Sequence, residues 1–205
     1  MPHTYRVEES ESPPWIVEIR PQDGFILSPR YTSDFRVRGV VYDMLKVAQA
    51  ALPPEYRLVI YEAFRPRSRQ WELWRWMERE MRHRFPNASD DDIYTRTREF
   101  VADPRGFGSG HQAGGAVDVT LADADGNELD MGTDGVELVE RARTHSPDIT
   151  PQQRENRRIL LEAMEAAGLV NYPSEWWHYC YGDRLWAEMT RANVAIFAPI
   201  EEGTS

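Results

Sequence analysis

Residues 109–121 read SGHQAGGAVDVTL, a glycine-rich loop running into an alternating strand. Val117, Val119 and Leu121 face one way and Ala116, Asp118 and Thr120 the other. His111 and Asp118 are seven apart, which on one unbroken strand puts them on opposite faces. Gly114 and Gly115 interrupt that strand and permit a tight bend that returns Asp118 toward His111. The small neighbours of Asp118 leave room for an ion. At this point two readings stand: part of an ion site, or a loop histidine followed by a turn acid.

The segments on either side set the architecture. ADADGNELD (122–130) reads as a hairpin around an Asp-Gly turn. Its Asp123, Asp125 and Asn127 mimic the start of a calcium loop, but that motif needs glycine in sixth place, where Glu128 stands. Upstream, YRLVIYEAF (56–64) reads as a buried strand ended by Arg65-Pro66. Residues 36–52 read as a helix with Val40, Val41, Leu45, Val47 and Ala48 on its apolar face, stopped by Pro53-Pro54. In 67–85, Trp71, Trp74, Met77, Met81 and Phe85 form one helical stripe, read as core packing, and His83 falls on the solvated side. A further helix is expected over 90–102 with Ser89 as N-cap.

Downstream, Thr150, Pro151 and Gln153 spell a capping box and an N1 proline. The apolar face of that helix is Ile159, Leu160, Ala163, Met164 and Ala167, and Gly168 ends it. An aromatic strand follows over 176–181. Helices and strands mix without regular βαβ alternation, so the expected class is α+β. We expect a single domain over 1–205: a small, mostly antiparallel sheet flanked by helices, a core over about 20–190, and a loosely held arm at 1–14.

The chain has 205 residues and a net charge of −10, which argues against nucleic acid as the main partner. No segment approaches the roughly 20 apolar residues of a membrane helix. MPHTYRVEESESPPW has no apolar stretch, so no secretory signal is expected. Cys180 is the only cysteine, which forbids an internal disulfide and suits a cytoplasmic setting. Its place in an aromatic strand marks it as buried rather than nucleophilic.

Chemistry concentrates in EWWH (175–178) and at Arg65. Adding His178 to His111 and Asp118 makes two imidazoles and a carboxylate, a common catalytic zinc set with one position open. Zinc in such a site lowers the pKa of water to about 7. Glu175 is the candidate base. On a straight strand it and His178 would point apart, so a bend shaped by Pro173 and Ser174 is expected. Trp176 and Trp177 are expected to exclude water and raise the pKa of the acid, and one of them to steady His178. Arg65 reads either as an oxyanion stabiliser or as a helix-entry arginine paired with a surface acid.

Taken together these residues resemble the D-alanyl-D-alanine dipeptidases among the zinc D,D-peptidases. The family pattern Ser-x-His-x-x-Gly-x-Ala-x-Asp then Glu-x-Trp-His stands here as Ser109, His111, Gly114, Ala116, Asp118 and Glu175, Trp177, His178. Phe64-Arg65-Pro66 matches the Tyr-Arg-Pro element, and MGT (131–133) and NRRILLEAMEAAGL (156–169) extend the likeness over about 20–190. The resemblance implies His111, Asp118 and His178 as zinc ligands, Glu175 as base, Arg65 at the transition state and Ser109 near substrate. It implies cleavage of D-Ala-D-Ala or a similar small dipeptide linked to peptidoglycan, within an aromatic-rimmed pocket. A carboxypeptidase acting on longer wall peptides, or a non-catalytic zinc-binding module, are the alternatives. Two departures stand out. The family's ammonium-holding aspartate, five residues after the Met of Met-Gly-Thr, is Val136 here, with Asp134 and Glu137 as nearby acids. The usual Asp-Gly-Tyr is Glu62-Ala63-Phe64, which lacks a hydroxyl.

Overall fold

The computed structural model describes residues 6–7, 16–106, 108–135 and 139–201. In chain order the strands and α-helices are β1 (Arg6–Val7), β2 (Ile16–Glu18), β3 (Ile26–Leu27), β4 (Arg36–Arg38), α1 (Gly39–Ala51), β5 (Arg57–Glu62), α2 (Arg67–Arg84), α3 (Asp90–Phe100), β6 (Ala116–Ala122), α4 (Pro151–Ala166), β7 (Val170–Asn171), β8 (His178–Cys180), α5 (Arg184–Thr190) and β9 (Val194–Ala195). Five strands form the central sheet in the order β3-β5-β6-β8-β7. Within this sheet only β3-β5 is parallel, so the α+β class and the mostly antiparallel sheet are as expected.

Register explains how the sheet separates core from site. Leu58 lies opposite Leu121, Ile60 opposite Val119 and Tyr179 opposite Val117. This apolar face shares one buried cluster with Val41, Leu45 and Ala48 of α1 and Leu160, Ala163 and Met164 of α4. Full burial of each valine, leucine, isoleucine or methionine among them stabilises by about 1.5–3 kcal/mol. The opposite face carries Asp118 with His178 directly across from it. A bulge between Ile60 and Glu62 makes Tyr61 the extra residue and brings Glu62, rather than Tyr61, opposite Asp118.

Helix ends follow local chemistry. Thr150 and Gln153 form the reciprocal capping box on α4, and the Ser89 hydroxyl accepts from the Asp92 N–H on α3. α2 and α3 pack through Met77, Met81 and Ile93. In 123–129, Asp123 accepts from the backbone N–H groups of Asp125 and Asn127, so the calcium-like pattern serves its own turn.

Several expectations need correction. Residues 36–38 are a strand paired antiparallel with β2, so the helix begins at Gly39. Val40 and Val47 are exposed, as is Phe85, which lies under the Arg96 guanidinium. Of the expected arm, Arg6–Val7 pair in parallel with β9, and the rest lies outside the described residues.

Candidate active site

Three chain segments meet on the polar face of the sheet. Residues 109–115 coil through successive turns, with the Gly114 N–H donating to the His111 carbonyl and Gly114 at φ +67. That coil returns His111 over β6, as the two glycines predicted. Glu175 precedes β8 on consecutive turns: its N–H donates to the Tyr172 carbonyl, and the His178 N–H donates to the Glu175 carbonyl. The expected bend is therefore present. The third segment, 62–65, leaves β5 and locks onto the coil. His111 Nδ1 donates to the Ala63 carbonyl at 2.9 Å, and the Arg65 N–H donates to the His111 carbonyl at 3.3 Å.

His111, Asp118 and His178 are all buried, and one donor atom from each lies within 4.8 Å of the others. Asp118 Oδ1 stands 2.9 Å from His178 Nδ1 and 3.4 Å from His111 Nε2. Ligand atoms around a tetrahedral zinc stand roughly 3.3 Å apart. The bond to Ala63 fixes the His111 tautomer and leaves Nε2 free to coordinate. Donor chemistry and spacing both fit a single divalent ion.

The electrostatics agree. Burial opposes ionisation of Asp118, but the two imidazoles outweigh it and hold its carboxyl below the usual range. Burial likewise opposes charge on His178, yet its hydrogen bond to Asp118 and the charge of Asp118 raise it to about 9. A proton there occupies the place of a metal's positive charge. Glu175 and Asp183 are both pushed up by burial.

These groups line a cavity of about 350 Å³ that also holds Arg65, Ser109, Tyr31, Trp76, Tyr172, Trp177 and Phe197. Aromatic side chains contribute to its wall, as expected, beside charged ones such as Arg69 and Glu99. Arg65 is paired with Glu62, and the two side chains are only 14% and 11% exposed in the cavity wall, so the surface-pair reading of that arginine fails. Ser109 Oγ accepts from the Gln112 N–H within the coil.

A model of the M15 peptidase family described as D-Ala-D-Ala dipeptidase matches residues 38–196. The chain belongs to the D-Ala-D-Ala dipeptidase family. A D-alanyl-D-alanine dipeptidase of Escherichia coli is 37% identical over 60% of this chain and 54% of its own length. Those of Synechocystis sp. and Enterococcus faecalis are 28% and 30% identical, covering 71% and 69% of this chain and 67% and 69% of theirs. The match thus spans about half the length of the Escherichia coli protein. Among solved structures, a zinc complex of a mutant vancomycin-resistance D,D-pentapeptidase, VanY, has 17% identity and a TM-score of 0.46, covering 95% of this chain and 90% of that one.

Within this dipeptidase-family chain the two tryptophans have different jobs. Trp177 lines the cavity, whereas Trp176 faces away, donating through Nε1 to Thr133 and stacking with Arg157. The rings beside His178 are His111 and Tyr172, not a tryptophan. Asp134 does not line the cavity; it lies 4.0 Å from Arg30 beside a separate polar hollow. Val136 and Glu137 lie outside the described residues. Phe64 is buried under the Arg36 guanidinium, so the missing hydroxyl is not a gap in the cavity wall. Sequence reasoning assigned no role to Glu62, Gln70 or Asp183. The signal available for Asp183 was glycine at 110, where a Cβ would sit 1.9 Å from its Oδ2.

Proposed function

We propose that the protein is a zinc-dependent dipeptidase that hydrolyses D-Ala-D-Ala or a similarly small dipeptide. The observation carrying this reading is the convergence of His111, Asp118 and His178 within 4.8 Å in one cavity with Glu175 and Arg65. His111 Nε2, Asp118 and His178 Nδ1 would hold the ion. Zinc, when bound, supplies the Lewis acidity that makes water nucleophilic near neutral pH and polarises a carbonyl.

Glu175 accepts the proton of the attacking water and delivers it to the leaving amine nitrogen. Its burial suits both halves of that task, because a carboxyl raised above its ordinary pKa takes a proton readily and still releases it. Arg65 stabilises the oxygen that gains charge as the carbonyl becomes tetrahedral. Ser109, in the cavity lining, would meet a polar end of the dipeptide. Trp177 and Tyr172 keep bulk water from the acid. The lone, buried Cys180 makes no demand on an oxidising compartment, which supports a cytoplasmic setting.

The test is release of D-alanine from D-Ala-D-Ala by the zinc-loaded protein, beside N-acetyl-D-Ala-D-Ala. Cleavage of the free dipeptide alone supports the reading. Preference for the acetylated substrate would move the function to a carboxypeptidase, and no cleavage of either would leave a binding module.

A further inference from the structure

We propose that Gln70 is a positioning residue for hydrolysis: with Glu62 it forms a clamp on three N–H groups that presents Arg65 to the reaction centre. Arg65 Nε donates to Glu62 Oε1 at 2.8 Å, and Nη2 pairs with Glu62 Oε2. Nη1 donates to Gln70 Oε1 at 3.0 Å. Guanidinium has five N–H donors. Three are thereby engaged, which leaves one N–H on each Nη for a substrate oxygen.

Gln70 is fully buried in the first turn of α2 and does not line the cavity. A buried glutamine must satisfy both ends of its amide. Its Nε2 donates to the Ala102 carbonyl at 2.7 Å, which orients the amide so that Oε1 faces Arg65. The anchor therefore lies in the segment following α3. Glu62 reaches its position through the β5 bulge, which sets it opposite Asp118. The carboxylate restrains rotation about one edge of the guanidinium, and the amide restrains the other.

The bland alternative is that Gln70 only bolts α2 to residue 102. Two variants separate the roles. Q70M removes both bonds, and Q70M in an R65A background reports only what the loss of the Ala102 bond does to the helix. The clamp predicts that Q70M lowers kcat on D-Ala-D-Ala by about 10- to 100-fold, with KM changed by less than about threefold and zinc retained. It also predicts that Q70M adds less than about twofold in an R65A background. Wild-type kcat in folded Q70M, or an undiminished effect in R65A, overturns it. Freely averaging Nη–H signals from Arg65 in the unsubstituted protein overturn it too, which decides the matter even if Q70M does not fold.

The proposal rests on the dipeptidase reading only for its kinetic arm. Guanidinium proton–nitrogen spectra give a second arm: wild-type Arg65 should show separate, slowly averaging Nη–H signals that collapse in Q70M. Unchanged signals overturn the clamp. Collapse in a protein that releases no D-alanine would retain the clamp and reject the dipeptidase reading alone.

Discussion

The Arg65 N–H donates to the carbonyl of His111, and His111 in turn donates through Nδ1 to the carbonyl of Ala63, two residues before that arginine. The proposed oxyanion stabiliser and a proposed metal ligand are thus fixed to each other by reciprocal bonds. Disturbing either segment should be felt at both.

Glu175 should be separable from the metal. The E175A variant should bind one equivalent of zinc, measured by elemental analysis, while kcat falls about 10²- to 10⁴-fold. Loss of zinc together with activity would make Glu175 a ligand rather than the base.

The metal-free protein should lose stability as pH rises. His178 titrates at about 9 in the folded chain against about 6.5 unfolded. A raised folded pKa stabilises fully below the unfolded value and is lost as pH climbs through the folded one. Denaturant unfolding of the metal-free protein should therefore show a decline between pH 6.5 and 9, on the order of 3 kcal/mol. This counts the His178–Asp118 interaction once. Zinc must displace that proton, so zinc affinity should rise about tenfold per pH unit below 9 and then level. A flat profile would contradict the pairing.

Arg157 should matter for stability more than for chemistry. Its guanidinium donates to the carbonyls of Met131, Arg141 and Arg143, while Asn156 holds the Asp130 carbonyl. Truncation to alanine strands three acceptors and should cost about 3 kcal/mol, or roughly 6–12 °C in Tm by calorimetry. An unchanged Tm would show that water replaces those bonds at no cost.

Gly115 has no room for a side chain. A Cβ there would meet the Tyr181 carbonyl oxygen at 2.7 Å and Asp183 Cβ at 3.2 Å. G115A should destabilise by about 2 kcal/mol, roughly 4–8 °C in Tm, and weaken zinc binding because the His111 coil must shift. Wild-type Tm and zinc affinity would show that the β6–β8 corner yields freely.

Features written in contiguous residues were legible in the sequence. The Thr150–Pro151–Gln153 cap, the Ser89 cap and the 116–121 alternation depend on neighbours within a few positions. The candidate ligands were legible too, because Gly114 and Gly115 announced the bend. Features set by distant partners were not. Residues 36–38 look helical until β2 pairs with them. Trp176 and Trp177 look equivalent until Thr133 and Ala142 claim one of them as hydrogen-bond partners. Glu62 faces the site because of a bulge against β6, which no local pattern in YRLVIYEAF reveals.

The account stands or falls on three donors sharing one ion. X-ray absorption at the zinc edge measures that directly. It should give two imidazole nitrogens plus oxygen donors at about 2.0–2.1 Å, with one imidazole lost or zinc released in H178A. A sulfur donor, or a zinc shell unaltered in H178A, would contradict it.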